Sequence, residues 1–139
     1  MTRMLTYEAA SRVVAAAMAR ASETGSPSCV SVVDAGRNLV AFARQDGAIL
    51  AAVEVSQAKA YTAASLTMST ADLAPAVQPG GPFYGLSGSH GQPYIPFGGG
   101  ALLRVDGVVV GAVGIGGGSP DQDADIAMAG AAALEKSPA

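Results

Sequence analysis

The sequence predicts an α+β fold in which helices cover an antiparallel sheet, and three observations support this class. Two pairs of short apolar segments are each joined by a turn sequence, residues 34–38 in the first pair and Asp106-Gly107 in the second, so each pair predicts a β-hairpin. Helical patterns precede, separate and follow the hairpins. Successive hairpins give an antiparallel sheet, whereas single strands alternating with helices would give a parallel one. The length of 139 residues fits one domain over residues 1–139.

The first half of the chain predicts a helix, a hairpin and a second helix. The first helix begins after Thr6, a good N-cap, and ends at Gly25. Residues 29–33 and 39–44 are the strands of the first hairpin. An alanine-rich helix follows over roughly residues 49–66. The small, semi-polar side chains on its second face suit close packing against another copy of the chain.

Residues 69–96 form a long segment without a periodic pattern and contain five of the eight prolines. The segment also carries Phe83, Tyr84, His90 and Tyr94. Long irregular segments in small domains are usually functional or mobile, and this one has too many aromatic residues for a simple linker. We therefore expect it to fold back and form one wall of a ligand pocket.

The last third of the chain predicts a second hairpin and a final helix. Small residues recur along the second strand of this hairpin, residues 108–115, and they allow a helix or a ligand to approach the sheet closely. The helix has a strong start, with Ser119 as N-cap, Pro120 at the first helical position and Gln122 completing a capping box.

Composition argues against several classes of protein. No run of about 18 apolar residues is uninterrupted, so we expect no membrane span. The first residues lack the layout of a signal peptide, and the lone Cys29 suits a reducing compartment, so we expect a cytoplasmic protein. The basic residues are scattered and the net charge is −3, so we expect no nucleic-acid partner.

The low content of charged residues bears on self-association. Charged residues make up 14% of the chain, below the roughly 25% typical of soluble domains. With so few charges to cover its exterior, the domain is expected to bury surface in a homo-oligomer. A simple bias towards alanine is the alternative explanation.

Five stretches of the sequence, in order and at matching spacing, resemble the GlcG/HbpS/PduO C-terminal family, also called the haem-degrading domain family. They are residues 32–48, 57–63, 78–86, 97–100 and 109–118, and the last runs into Gln122-Asp123 and the closing helix.

This resemblance implies a profilin-like sandwich around a five-stranded antiparallel sheet, assembled into dimers, tetramers or octamers. It also implies haem or a related tetrapyrrole as the ligand in several members. Two stretches depart from the family pattern. Gly99-Gly100-Ala101-Leu102-Leu103 lacks the proline that relatives carry after the glycines, and residues 84–90 differ from the run seen in close relatives. Both departures leave room for a different ligand.

The predicted catalytic residues are His90, Tyr84 and Tyr94. His90 is the only histidine, so it could act as a general acid or base or as a haem ligand. Tyr84 and Tyr94 flank it and could stack on a flat ligand or donate a phenolic proton. The alternatives are a solvated histidine and tyrosines that pack the segment onto the sheet.

Three charged residues are predicted to bind a ligand. Arg44 could bind a carboxylate or a haem propionate with Asp46 as its partner, whereas a structural ion pair or an Asp-Gly turn is the alternative. Lys59 lies on the flank of the second helix and could reach an anion of the ligand. A structural ion pair is again the alternative.

Two glycine-rich turns, residues 98–100 and 116–118, supply further candidates. Their main-chain N–H groups could bind an anion, and the second turn is the better case because it leads into a helix N-terminus. The three aspartates after it are explained by the helix start, so no metal site is predicted. The further ligand-binding candidates are Phe83, Phe97, Gly99, Gly100, Gly117 and Gly118.

Two functional hypotheses follow. The first is a small-molecule-binding domain for haem, a related tetrapyrrole or another planar acidic compound, with the pocket between residues 79–94, 97–100 and 116–118. The second is a cofactor-independent enzyme acting on a small carbonyl or carboxylate metabolite, with His90 and a tyrosine as acid and base and Arg44 as anchor. An accessory oligomer without a site of its own is a third possibility.

Overall fold

The computed structural model describes residues 4–89, 91 and 93–135, which form four helices and one antiparallel sheet. The elements are α1 (Tyr7–Thr24), β1 (Cys29–Asp34), β2 (Leu39–Arg44), α2 (Ala51–Leu66), α3 (Thr70–Leu73), β3 (Gly100–Val105), β4 (Val108–Gly116) and α4 (Pro120–Glu135), with two 3-10 turns at Ala74–Val77 and Leu86–Gly88. The strand order is β2-β1-β4-β3. Helices α1 and α4 cover one face of the sheet and α2 covers the other. None of the described helices is long and apolar enough to span a membrane.

The predicted α+β class is confirmed, but the expected five-stranded sheet is wrong, because the described part of the chain forms a sheet of four strands. The residues between α2 and β3 form α3 and the two 3-10 turns instead. Prolines in this segment cannot donate hydrogen bonds to a strand ladder. In addition, the hydroxyl of Thr70 in α3 accepts the N–H of Gly100 at 2.8 Å. This main-chain donor at the edge of β3 is therefore bonded to a helix residue and is not open to a further strand.

Strand β3 therefore lies at one edge of the sheet, with its outer main-chain groups directed away from β4. Ile115 donates its N–H to the carbonyl of Gly99 at 2.8 Å, and Gly100 lies opposite Gly114. Bonded and non-bonded pairs alternate in an antiparallel ladder, so the N–H and C=O of Leu102 also point outwards. This edge borders a groove between α3 and α4.

The local signals that predict the element ends are confirmed. Thr6 accepts the N–H of Ala9 at 3.0 Å through its hydroxyl, and Gly25 ends α1 in the left-handed conformation with φ 67°. At the start of α4, Ser119 accepts the N–H of Gln122 at 3.2 Å, and Gln122 accepts the N–H of Ser119 at 2.9 Å. These side chains satisfy main-chain donors that a helix start otherwise leaves unpaired.

The layer formed by α1 and α4 contains the larger apolar core. Val13 of α1 and Ile126 of α4 are fully buried against Val32, Val113 and Ile115 of the sheet. Burying each such side chain contributes about 1.5–3 kcal/mol. This core fixes α4 against the sheet, and the first turn of α4 is therefore held in a defined position.

Helix α2 packs on the other face of the sheet with its main chain unusually close to β4. A Cβ added at Gly114 would collide with the main-chain carbonyl oxygen of Ser56 and would lie 2.6 Å from the main-chain nitrogen of Ala60. The hydroxyls of Ser31 and Ser56 share a buried hydrogen bond of 2.8 Å across the same interface. The small residues predicted to admit a helix or a ligand thus admit α2.

The turn between β1 and β2 is organised by Asp34. Its carboxylate accepts the N–H groups of Gly36 and Asn38, both at 2.9 Å. The hydrogen bond from the main chain of Asn38 does most to lower the pKa of Asp34 from its ordinary value of 3.8. Burial opposes it, and the side chain of Asn38 and the N–H of Gly36 lower the pKa further. Arg37 in this turn has φ 71°, a left-handed conformation that favours glycine.

We expect Gly114→Ala to lower the free energy of unfolding by at least about 2 kcal/mol, because the added methyl group forces α2 away from the sheet. The measurement is urea unfolding followed by circular dichroism. Gly88→Ala is the matched control, since nothing lies within 4 Å of its added Cβ, and we expect a change within about 0.5 kcal/mol. Equal effects of the two substitutions would contradict the close approach of α2.

We expect the stabilising effect of Asp34 to depend on pH. Its pKa in the folded state is lowered, so its contribution is fully present above the unfolded pKa of about 4 and is lost as the pH falls through the folded pKa. The difference in unfolding free energy between wild type and Asp34→Asn should therefore shrink below about pH 4. Urea unfolding at several pH values measures this, with the exposed Asp46 changed to Asn as control. A difference that stays constant down to acid pH would exclude this role.

Candidate functional site

A groove of about 640 Å³ lies at the free edge of β3, between α3 and α4, and we call it the β3–α4 groove. This volume falls within the range of about 300–1,000 Å³ found for small-molecule pockets. Gly99 and Gly100 line one end of it, and α4 forms a wall in which alanine predominates. The wall residues from α4 are Ala124, Ala127, Met128, Ala131 and Ala132.

The groove combines small apolar walls with a few functional groups. The thioether side chains of Met68 and Met128 line it, and Met128 is 68% exposed. Arg104 of β3 contributes a guanidinium, whereas Asp72 and Glu135 contribute carboxylates. The arrangement suits a ligand with a broad apolar body, a group that can contact sulfur and an anion for Arg104.

A buried ion pair lies next to the glycine end of the β3–α4 groove. The Nζ atom of Lys59 on α2 donates to Oδ2 of Asp123 in the first turn of α4 at 2.8 Å, and the two side chains are only 1% and 2% exposed. Since α2 and α4 cover opposite faces of the sheet, this contact joins the two helical layers past the end of the strands. Such a pair is costly to desolvate, so both charges need further partners.

Each member of the pair has an additional contact. Oδ1 of Asp123 accepts the N–H of Gly118 at 3.0 Å, and the Nζ atom of Lys59 lies 5.2 Å from the ring centroid of Phe97. Burial lowers the pKa of the Lys59 ammonium, and the hydrogen bond and charge of Asp123 act in the opposite direction. The carboxylate thus stabilises the charged form of a lysine that burial alone would favour as neutral.

The glycine turn before β3 is required by this packing. A Cβ added at Gly99 would lie 2.6 Å from Nζ of Lys59 and 2.8 Å from the carbonyl oxygen of Ile115. A Cβ at Gly98 would lie 2.5 Å from the carbonyl oxygen of Pro120. Any side chain at these positions would push the ion pair or the start of α4 aside.

The structure brings some of the predicted ligand-binding residues together. Gly99 and Gly100 line the β3–α4 groove, whereas Lys59 forms the buried ion pair and Phe97 and Gly118 contact it. Lys59 therefore forms an ion pair, which was the structural alternative to ligand binding. A role for Lys59 in binding a ligand stays a prediction. Gly117, at the same turn, has φ 127° and packs against the main chain of Pro27.

The aromatic residues of the irregular segment do not gather in one pocket. Phe83 and Tyr84 are exposed, at 57% and 68%. The ring of Tyr94 packs against that of Tyr61 on α2, with 6.1 Å between centroids. His90 lies outside the described residues, so its predicted catalytic or haem-ligating role stays a prediction.

Arg44 and Asp46 lie apart from the β3–α4 groove. They line a depression of about 590 Å³ beside α1 and the end of β2, and β2 and β3 form opposite edges of the sheet. Arg44 donates to the carbonyl oxygen of Ala48 at 3.0 Å. Three strand spacings of about 4.8 Å separate the two edges, so one small ligand would not contact both places.

Several residues of the groove and of the ion pair were not among the predicted ligand-binding residues. Asp123 was explained as part of a helix start, and its partner Lys59 is 64 residues away in the sequence. Met68, Met128 and Arg104 carry no local motif. The position of Lys59 on the flank of α2 is the available signal, and it left a structural ion pair as the alternative to ligand binding.

The sequence matches one protein family over nearly its whole length. Residues 5–132 match a family described as haem degrading protein HbpS-like. An uncharacterised 15.0 kDa protein from the dhaT–dhaS intergenic region of Citrobacter freundii is 40% identical over 119 residues, which cover 86% of this chain and 84% of that protein. The corrinoid adenosyltransferase PduO of Citrobacter freundii is 37% identical over 94% of this chain, which spans only 39% of the length of PduO.

Several solved structures share the fold, and two of them illustrate the match. Klebsiella pneumoniae protein ORFY superposes with a TM-score of 0.94 and 34% identity, covering 99% of this chain and 95% of that one. A PduOC–haem complex superposes with a TM-score of 0.90 and 36% identity, covering 95% and 96%. By its fold, the described chain is an α+β domain with helices on both faces of a four-stranded sheet. The chain belongs to the HbpS-like family of haem-degrading proteins.

We expect Lys59→Met to lower the free energy of unfolding by about 3–5 kcal/mol, because it leaves the carboxylate of Asp123 buried without its cation. Chemical denaturation measures the loss. The double variant Lys59→Met/Asp123→Leu should recover a large part of it, since no buried charge then remains.

The matched control is Arg20→Met. Arg20 pairs with Asp125 at 2.8 Å on the exposed surface between α1 and α4, and a pair of this kind contributes about 0–1 kcal/mol. If Lys59→Met and Arg20→Met had the same small effect, the ion pair would not hold the two layers together.

Proposed function

We propose that this protein binds haem or a related tetrapyrrole in the β3–α4 groove. The observation that carries the proposal is the groove itself, which offers about 640 Å³ of space between walls of glycine and alanine, with two thioethers and one guanidinium. A homologous domain, PduOC, has been crystallised with haem. Family membership alone would not locate a site, because function depends on the groups that a particular surface presents.

The shape of the β3–α4 groove supports a flat ligand. Four of the residues with which α4 lines the groove are alanines, Ala124, Ala127, Ala131 and Ala132, and they face the edge strand β3 across it. A macrocycle would bury its apolar faces against these alanines, and each square ångström of apolar surface removed from water contributes about 25 cal/mol.

The groups lining the groove match the polar parts of haem. Methionine sulfur is an established axial ligand of haem iron, and Met128 presents the more exposed thioether of the two. Arg104 suits a propionate, because a guanidinium forms paired hydrogen bonds with a carboxylate. Asp72 and Glu135 would repel a second anion and so favour one orientation of the ligand. His90 stays a further candidate for the iron.

The enzyme hypothesis gains less support. It required Arg44 to anchor a substrate beside a tyrosine. However, Arg44 lies at one end of β2, whereas Leu39 at the other end lines a separate groove with Tyr61 and Pro93. Five residues of extended strand span about 17 Å. The ring of Tyr94 packs against Tyr61, so it too lies away from Arg44.

The homo-oligomer and the cytoplasmic location expected from composition stay predictions. Ile49 and Leu50, just before α2, are 62% and 78% exposed, and such apolar side chains support self-association.

We expect hemin to bind with a shifted Soret band. Ala132→Phe should fill the groove and weaken binding at least tenfold, which corresponds to about 1.4 kcal/mol of binding free energy. Met128→Leu should alter the Soret position without unfolding the protein, because it keeps the apolar volume and removes the sulfur. Spectroscopic titration of hemin under reducing and oxidising conditions measures both effects.

Met18→Leu is the control for methionine, since Met18 lines the depression beside Arg44 instead. His90→Phe tests the remaining candidate ligand. Hemin binding that is unaffected by Ala132→Phe would place the ligand elsewhere, and the absence of any Soret shift in the wild type would refute haem binding.

A further inference from the structure

A second, smaller groove lies on the α2 side of the sheet, next to the turn between β1 and β2. Its volume is about 260 Å³, the space of roughly nine water molecules in the liquid. It is separate from the β3–α4 groove, with which it shares no lining residue. We call it the Arg37 groove, and its lining includes Arg37, Glu54, Gln57, Ala58, Tyr61 and Pro93.

We propose that the Arg37 groove binds a small carboxylate that has an apolar body and a hydrogen-bond donor at its other end. Arg37 supplies the positive charge. Among the described residues, no carboxylate forms an ion pair with it. Its Nη1 atom donates to the hydroxyls of Tyr61, at 3.1 Å, and Ser65, at 3.3 Å. A guanidinium has five N–H donors, so several are left for an incoming carboxylate.

The guanidinium is held in place by two kinds of contact. Its Cζ atom lies 4.9 Å from the ring centroid of Tyr61, a cation–π distance. Arg37 also adopts φ 71°, and the hydrogen bonds of Asp34 to Gly36 and Asn38 maintain this turn. Residue 37 thus has a backbone conformation that favours glycine but carries an arginine, and the guanidinium of this arginine packs on α2.

The residues of α2 that precede Tyr61 define the other end of the ligand. Glu54 precedes Tyr61, the residue that contacts Arg37, by seven residues on α2, which is about 10 Å along a helix. Gln57, Ala58 and Pro93 also line the groove. The carboxylate of Glu54 repels a ligand anion and accepts a hydrogen bond from a hydroxyl group. The groove thus distinguishes the two ends of a ligand that has a carboxylate and a donor.

Pro93 is fixed as a wall by Thr62. The Thr62 hydroxyl accepts the N–H of Ile95 at 2.9 Å and lies 3.2 Å from the carbonyl oxygen of Pro93. The irregular segment is therefore attached to α2 at this point, and the groove has a defined shape before any ligand enters.

The experiment is a titration of the full chain with 4-hydroxybenzoate, benzoate and the neutral benzamide, followed by amide chemical shifts in ¹H–¹⁵N NMR. We expect 4-hydroxybenzoate to bind with shifts centred on Gln57 and Tyr61. Benzamide should bind at least tenfold more weakly, and Arg37→Gln should weaken 4-hydroxybenzoate at least tenfold. Glu54→Gln should reduce the preference for 4-hydroxybenzoate over benzoate.

Two variants complete the test. Arg37→Gly suits the left-handed turn, so it should fold at least as stably as the wild type while losing the carboxylate, and the loss cannot then be assigned to unfolding. Arg44→Gln removes an arginine near the other end of β2 and should leave binding unchanged. No binding of either benzoate up to about 10 mM, equal binding of benzamide, or unchanged binding by Arg37→Gly would overturn the proposal.

Discussion

The buried ion pair between Lys59 and Asp123 is the interaction on which the arrangement of the layers depends. It is the point where α2 and α4, which cover opposite faces of the sheet, are joined by a charged contact of 2.8 Å. Two charges in an apolar interior are tolerated only when the geometry is close and the remaining hydrogen-bonding groups are satisfied. The N–H of Gly118 and the ring of Phe97 meet part of that requirement.

The same interaction determines where a ligand can be placed. Because Gly99 must leave room for the lysine, the main chain enters β3 without a side chain at the end of the β3–α4 groove. Because Asp123 fixes the first turn of α4, the alanines further along this helix lie beside the edge of β3. The space proposed for a tetrapyrrole and the smaller Arg37 groove on the α2 side are both consequences of how α2 and α4 are held on the sheet.

Much of the fold could be predicted from the sequence because its signals are local. A capping hydroxyl such as that of Thr6 or Ser119 acts within three residues of itself, and Asp106-Gly107 specifies a turn through its own backbone conformation, with φ 50° and 78°. The alternation of small residues along β4 likewise indicated a close approach to the sheet. The resemblance to haem-degrading domains rested on residues in order along the chain, and the family was correctly identified.

The sequence by itself thus determined the three long helices, the two hairpins, the α+β class and the family. Only the tertiary structure decided that Lys59 meets Asp123, that Met68 and Met128 line one groove, and that Arg37 stacks on Tyr61. It also decided that the described part of the chain forms a sheet of four strands and that residues 70–77 form short helices beside β3. The reason is physical, since these contacts join residues far apart in the chain, and their formation depends on packing between layers that no local pattern encodes.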